Sequence, residues 1–118
     1  MEKPTILYED NHVLVAIKEP NMLTQADNTG DPDLLSRVKE YVKETYNKPG
    51  EAYVGLVHRM DRPVGGLLCF AKTSKAAARL SDQVRTHELI RQYVCIVEGS
   101  APDQFTYTDY LVKDMENN

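Results

Sequence analysis

The stretch that decides the fold is Gly55-Leu-Val-His-Arg-Met-Asp-Arg-Pro-Val-Gly-Gly-Leu-Leu-Cys-Phe-Ala-Lys72. Apolar runs at residues 54–57 and 67–71 have the length and composition of short strands. The proline and the glycines between the two runs favour a turn. Asp61 lies in that turn, so its carboxylate is predicted to stand at the edge of a sheet.

Two interpretations of Asp61 follow from its immediate neighbours, Arg59 and Arg62. Flanking guanidinium groups keep a carboxylate ionised, and they fit an ion pair that only stabilises the turn. An ionised carboxylate is also a nucleophile that can attack a sugar carbon. Hydrolytic glycosidases need a second carboxyl group, and no Asp or Glu beside Asp61 in the sequence suggests one. The local pattern leaves both interpretations open.

Length and composition indicate one globular domain or part of one. The chain has 118 residues, of which 42% are hydrophobic and 27% are charged, values that argue against disorder. No apolar run approaches the roughly 18 residues of a membrane span, so no membrane partner is expected. The first residues lack the basic-then-apolar pattern of a signal peptide, which predicts a cytoplasmic location.

Charge is distributed unevenly along the chain. The formal net charge is −4, yet residues 51–95 carry seven positive and four negative side chains and so have a net charge of +3. The acidic balance therefore belongs to the ends, and the middle can face a polyanion. A solvated face is predicted for five basic residues that are candidates for phosphate contact, namely Arg62, Lys72, Lys75, Arg79 and Arg85.

The two cysteines are predicted to be reduced thiols of the core. Cys69 and Cys95 each lie in an apolar run with the character of a strand, which is typical of an intracellular protein. Together with the cysteines, the candidate zinc ligands are His12, His58 and His87. None of these residues has the paired spacing of a zinc site, so no metal is expected.

The first half of the chain predicts a hairpin followed by a helix. Short β-branched runs at residues 6–8 and 13–17 flank a turn composition, and residues 18–30 read as a long polar loop. Asp31 and Pro32 are predicted to be the N-cap and the first helical residue. Apolar side chains then recur at helical spacing until Pro49-Gly50 ends the helix.

The second half predicts another helix and then further extended chain. Thr73-Ser74 offers an N-cap for the second helix. Residues 93–97 alternate as a strand, with Tyr93, Cys95 and Val97 on one face, and residues 105–112 form another extended segment. The predicted fold class is α/β in the broad sense, or α+β, with a mixed, mainly antiparallel sheet and two helices.

Residues 55–73 strongly resemble the His-Arg-Leu-Asp signature of the RluA family of RNA pseudouridine synthases. Lys18-Glu-Pro20 resembles the family's Asn-Lys-Pro segment, and residues 91–99 resemble its Lys-x-Tyr strand. The resemblance spans nearly the whole chain. Met60 stands where the family usually has Leu, a volume-conserving change, and Gly65 stands where the family commonly has Ser.

This resemblance implies that Asp61 is the catalytic nucleophile, which attacks the ribose of a target uridine so that the base can detach, rotate and rejoin through carbon. The target must first leave its stack. Tyr93 is then expected to stack on the uracil and to take part in proton transfer. Arg59, Arg62 and His58 are assigned to RNA binding, with Arg59 on the opened strand or its phosphates and His58 in a positioning role. The implied partner is rRNA or tRNA, and no cofactor is needed.

The family also carries a later stretch resembling Thr-Gly-Arg-x-His-Gln-Ile-Arg, whose basic residue pairs with the catalytic Asp. Residues 85–91 resemble it only superficially, because they precede Tyr93 and are predicted to lie on the second helix. Residues 1–118 are therefore expected to be the N-terminal part of a single, incomplete catalytic domain, weakly active or inactive alone. The alternative is a non-catalytic RNA-binding or interaction module of the same family, with self-association through unpaired sheet edges.

Overall fold

The computed structural model describes residues 2–114 and 116. Its helices and strands form a four-stranded antiparallel sheet with two helices. The sheet order is β1-β2-β4-β3. The prediction of an α+β fold with two helices is confirmed. In chain order the elements are β1 (Thr5–Glu9), β2 (Val13–Lys18), α1 (Leu34–Thr45), β3 (Gly55–Leu56), β4 (Gly66–Ala71) and α2 (Ser74–Arg85).

The predicted hairpin of β1 and β2 is confirmed, and Asp10 organises its turn. One carboxylate oxygen of Asp10 accepts the backbone N–H groups of His12 and Val13, both at 2.7 Å, and the other accepts the Tyr8 hydroxyl at 2.8 Å. These bonds, led by the one from His12, lower the pKa of Asp10 to about 2. The side chain thus satisfies turn donors that the strand ladder cannot reach.

The core lies on one face of β2 and β4. Their pairing sets Leu14 opposite Phe70 and Ala16 opposite Leu68, and all four residues are fully buried. Complete burial of a side chain such as Phe70 contributes about 2 to 3 kcal/mol relative to exposure. Helix α1 covers this face with buried residues that recur at a spacing of four, namely Leu34, Val38 and Val42.

Helix α1 begins two residues later than predicted. The N-cap is Asp33, not Asp31, and its carboxylate accepts the Ser36 N–H at 2.9 Å. The preceding loop decides the position, because Leu23 forms a parallel bridge with Asp33 and its carbonyl oxygen accepts the Leu34 N–H at 2.9 Å. The first turn of the helix is therefore attached to the loop at residues 19–24.

The sequence also predicted where α1 ends and where α2 begins, and the structure confirms only the second of these predictions. Helix α1 ends at Thr45, before the predicted stop at Pro49-Gly50, because Asn47 adopts a left-handed φ of 49° that ends helical geometry. Thr73 is the N-cap of α2 as predicted, and its hydroxyl accepts the Ala76 N–H at 3.1 Å.

Lys72 does not lie on a solvated face, and that prediction is wrong. Its ammonium donates to the Glu9 carboxylate at 2.5 Å and lies 4.5 Å from the centre of the Tyr46 ring. Glu9 also accepts the hydroxyls of Tyr41 and Tyr46 at 2.7 and 2.5 Å. This network joins the end of β1, the residue after β4 and the last turn of α1, so Lys72 is a structural residue.

The strand predicted at residues 93–97 does not form. Within the described residues, none after Arg85 belongs to a helix or strand, and Val94 and Ile96 are 99% and 100% exposed. A strand needs a partner for its ladder, and the alternating pattern alone does not supply one. Cys95 is consequently exposed, which corrects its assignment to the core, while Cys69 is half-buried on β4. Neither described helix is long and apolar enough to cross a membrane.

Candidate active site

Asp61 lies in the connection from β3 to β4, at the edge of the sheet as predicted. The Val64 N–H donates to the Asp61 carbonyl oxygen at 3.0 Å and closes the turn. The Asp61 side chain is exposed. Among the described residues it forms no hydrogen bond and no ion pair, so the pairing with Arg59 or Arg62 that the sequence allowed does not occur.

A buried lysine holds the backbone on the far side of Asp61. Lys18 ends β2, is 0% exposed, and donates from Nζ to the carbonyl oxygens of Met22 at 2.6 Å, Arg62 at 2.9 Å and Glu19 at 3.2 Å. All three ammonium protons therefore have an acceptor. Burial lowers the pKa of Lys18, Arg62 lowers it further, and the nearby charge of Asp61 acts in the opposite direction.

A buried threonine holds the backbone on the near side of Asp61. Thr24, which is 6% exposed, donates its hydroxyl to the Met60 carbonyl oxygen at 2.7 Å and accepts the Met60 N–H at 3.1 Å. One side chain thus satisfies both polar groups of the residue before Asp61. Lys18 and Thr24 together fix the chain on either side of the carboxylate.

Arg62 faces away from Asp61. Its Nε donates to the Asn21 carbonyl oxygen at 2.9 Å, and its terminal nitrogen pairs with the Asp31 carboxylate at 2.8 Å. The Asn21 N–H in turn donates to the Arg62 carbonyl oxygen at 2.8 Å. We call residues 19–24 the clamp loop, because backbone and side chain of this loop both bind the turn that carries Asp61.

Arg59 and His58, the other members of the motif, have different surroundings. Arg59 is exposed and makes no hydrogen bond or ion pair within the described part of the chain. His58 is half-buried, and its Nε2 accepts the Cys69 N–H at 3.1 Å, so the ring proton is on Nδ1. Burial, with help from Arg91, lowers the pKa of His58. The ring is therefore neutral at physiological pH and caps an otherwise unpaired donor of β4.

Tyr93 lines a cavity of about 590 Å³ beside β4. His58, Met60 and Gly66 also line this cavity, whereas Asp61 does not. Tyr93 is 58% exposed. The structure therefore brings two predicted site residues, His58 and Tyr93, to one cavity next to the turn, and places Arg59, Asp61 and Arg62 on the turn's exposed side.

Sequence reasoning missed Lys18 and Thr24 as residues that act on the site. A signal existed for Lys18, because the alternation in β2 puts it on the same face as the fully buried Leu14 and Ala16. A lysine at a core position implies that its ammonium has a set of buried acceptors. Thr24 gave no such signal, since it lies in an irregular loop. Among the described residues no group of three or more His, Cys, Asp or Glu side chains is arranged to hold a metal ion.

Comparison with known proteins gives the family. The family model for RNA pseudouridylate synthase matches residues 12–118, and the chain belongs to this family. It is similar to ribosomal large subunit pseudouridine synthase D of Yersinia pestis, with 35% identity over 97 residues, covering 80% of this chain and 29% of that protein. Synthase C of Buchnera aphidicola subsp. Acyrthosiphon pisum is 34% identical over 98 residues, covering 83% of this chain and 29% of that protein.

A solved structure supports the fold. Human RNA pseudouridylate synthase domain containing 4 superposes with a TM-score of 0.60 and 19% sequence identity, over 71% of this chain and 30% of that one. At this identity the likeness concerns the fold alone. The chain spans less than a third of the length of the curated relatives described above.

The contact between the turn and the clamp loop predicts the effect of adding one methyl group. A Cβ at Gly65 would lie 2.9 Å from ring carbons of Pro20, whereas a Cβ at Gly50 would meet nothing within 4 Å. We expect Gly65→Ala to lower the free energy of unfolding by about 1 to 3 kcal/mol, because such overpacking forces the loop away. Gly50→Ala, the matched control, should change it by no more than about 0.5 kcal/mol in the same urea titration. Equal stability of the two variants would contradict the close approach.

Proposed function

We propose that residues 1–118 form the part of a pseudouridine synthase catalytic domain that presents the nucleophile, and that the protein isomerises uridine to pseudouridine in RNA. The names of the relatives suggest ribosomal RNA as the substrate class. Such a substrate agrees with the cytoplasmic location expected from the sequence. The observation that carries the proposal is the exposed, unpaired carboxylate of Asp61 on a turn whose backbone is fixed on both sides.

The chemistry needs a carboxylate of this kind. Asp61 attacks the ribose carbon that bears the base, a bond from that carbon to carboxylate oxygen forms, and the bond to the ring nitrogen of uracil breaks. After the base rotates, its C5 bonds to the same carbon, the carboxylate leaves, and C5 gives up its proton while the ring nitrogen takes one. Atoms and charges balance without a cofactor. An exposed carboxylate that forms no ion pair with a described residue is free to make this bond.

Roles for the remaining motif residues complete the proposal. Arg59 is exposed and has no partner in the described chain, so its guanidinium is available to phosphate. The Arg62 side chain is 42% exposed while it pairs with Asp31, and we assign it a second, weaker phosphate contact. His58 stabilises β4, the strand that follows the turn, by accepting the Cys69 N–H. Tyr93, which lines the cavity, is assigned to stacking on the uracil and to the transfer of the proton lost from C5.

Asparagine at position 61 tests the nucleophile. We expect Asp61→Asn to reduce pseudouridine formation by about 10³-fold or more, because the amide cannot form the bond to ribose. RNA affinity should stay within about twofold of wild type, since the RNA contacts are made by other residues. The assay is tritium release from C5-labelled uridine in RNA, with filter binding in parallel.

The control for this experiment is Asp82→Asn, which removes an exposed carboxylate on α2 whose only ion pair within residues 2–114 and 116 is with Arg85. It should leave the rate unchanged. If Asp61→Asn retained the rate of the Asp82 variant, the assignment of the nucleophile would be wrong.

Glutamine at position 59 tests the RNA contact. Arg59→Gln should weaken RNA binding and reduce the slope of log affinity against log salt by about 1, because one phosphate contact is lost. The melting temperature should not change, since the Arg59 side chain forms no hydrogen bond or ion pair with any residue that the structure describes. Lys39→Gln, an exposed change on α1, is the charge-matched control and should keep the wild-type slope. Identical slopes for all three proteins would remove Arg59 from the interface.

A second candidate function is self-association, which the exposed apolar chain after α2 favours. Val94, Ile96, Tyr110, Leu111 and Val112 are each at least 93% exposed. The outer edge of β4 is paired with only two residues of β3, and open edges recruit strands.

Sedimentation at rising concentration should show a dimer that Ile96→Glu weakens. A monomer at every concentration would rule this function out.

A further inference from the structure

Thr24 is a buried polar residue that the motif does not contain. Its hydroxyl is both donor and acceptor to Met60, which is 36 positions away in sequence. The Met60 carbonyl and the Asp61 N–H belong to the same planar peptide unit. Holding that carbonyl at 2.7 Å therefore sets the orientation of the peptide from which the Asp61 side chain departs.

Thr24 itself is anchored to the core. Its carbonyl oxygen accepts the Leu35 N–H at 3.0 Å, and the Leu23 carbonyl oxygen accepts the Leu34 N–H at 2.9 Å. Leu34 is 1% exposed, and it belongs to the hydrophobic core with Val38. The orientation of the peptide before Asp61 is thus inherited from helix α1 through one hydroxyl group.

The Asp61 carboxylate has no hydrogen bond of its own to fix its direction within residues 2–114 and 116. No second partner of the Met60 N–H or carbonyl oxygen occurs there either. The direction of the carboxylate consequently depends on the backbone, and on the Met60 side of Asp61 the side chain that binds the backbone is Thr24. A displacement of about 1 Å at a reacting group can cost about 100-fold in rate.

We propose that Thr24 is a positioning residue for Asp61, acting on the nucleophile through the Met60 peptide. This inference rests on the proposed isomerisation of uridine. Removing the hydroxyl leaves Met60 without a partner and lets the Asp61 peptide rotate, while the RNA-facing side chain of Arg59 is untouched. The consequence falls on the chemical step and not on RNA binding.

Kinetics of Thr24→Val and Thr24→Ser test the proposal in the protein at its natural length. Valine keeps the shape and loses the hydroxyl, so kcat should fall about 10- to 100-fold while KM for RNA stays within about twofold. Serine keeps the hydroxyl and should restore kcat to within about threefold. A Thr24→Val protein with wild-type kcat, or a Thr24→Ser protein as slow as Thr24→Val, would overturn the proposal.

Two controls separate positioning from stability. Val38→Ala removes buried volume from α1 away from the turn and should lower the melting temperature without lowering kcat at a temperature where both variants are folded. Thr86→Val removes a hydroxyl that donates to the Asp82 carbonyl oxygen on α2 and should leave kcat unchanged. If Val38→Ala slowed the reaction as much as Thr24→Val did, Thr24 would be a stability residue only.

Amide exchange measures the same contact without activity. The Met60 N–H should exchange at least about tenfold faster in Thr24→Val than in wild type, and Thr24→Ser should retain slow exchange. Unchanged exchange in Thr24→Val would overturn the positioning role even if the protein were inactive. Absence of pseudouridine formation by wild type would instead overturn the proposed function, so the two failures are distinguishable.

Discussion

The ammonium group of Lys18 is the constraint on which the candidate site depends. The side chain of this lysine, at the end of β2, lies on the core face of the sheet, where it is not accessible to solvent. Such burial is costly unless every donor has an acceptor, and the acceptors are backbone carbonyls of the clamp loop and of Arg62. The two segments that meet at Asp61 are separated by about forty positions and are joined because they share this cation.

This constraint gives the clamp loop a structural function that its amino-acid composition does not indicate. Irregular, polar chain between β2 and α1 is attached to the first turn of α1 on one side and to residues 60–65 on the other. The Asp61 turn is thereby held by a helix packed in the core, although the turn itself is at the surface. A rigid backbone with an exposed carboxylate is the arrangement that a nucleophile requires.

Much of the fold could be predicted from sequence, because local rules govern it. Short apolar runs identified β2 and β4, turn residues identified the hairpin, and Thr73 marked the start of α2. The N-cap of α1 was predicted at Asp31 and is Asp33, since hydrogen bonds from the preceding loop outweighed the local cap. The strand predicted at residues 93–97 failed for a related reason: alternation describes the faces of a strand but does not supply its neighbour.

The motif residues of the candidate site could be predicted from the sequence, but the contacts that hold them in place could not. Asp61, Arg59 and His58 stand together in sequence, and the family resemblance gave each a role. The pairing of Arg62 with Asp31 depends on the path of the loop, which no periodicity describes. Tyr93 and His58 line one cavity, which the sequence had not brought together.

The free energy of unfolding of Lys18→Met, compared with that of Lys39→Met on the exposed face of α1, tests whether the buried ammonium holds the Asp61 turn. Methionine keeps the length of the chain but leaves the three carbonyl oxygens without their donor. We expect the free energy of unfolding to fall by about 2 to 3 kcal/mol in the position 18 variant and to change by no more than about 0.5 kcal/mol in the control. A Lys18→Met protein as stable as the control would show that the buried cation does not hold the Asp61 turn.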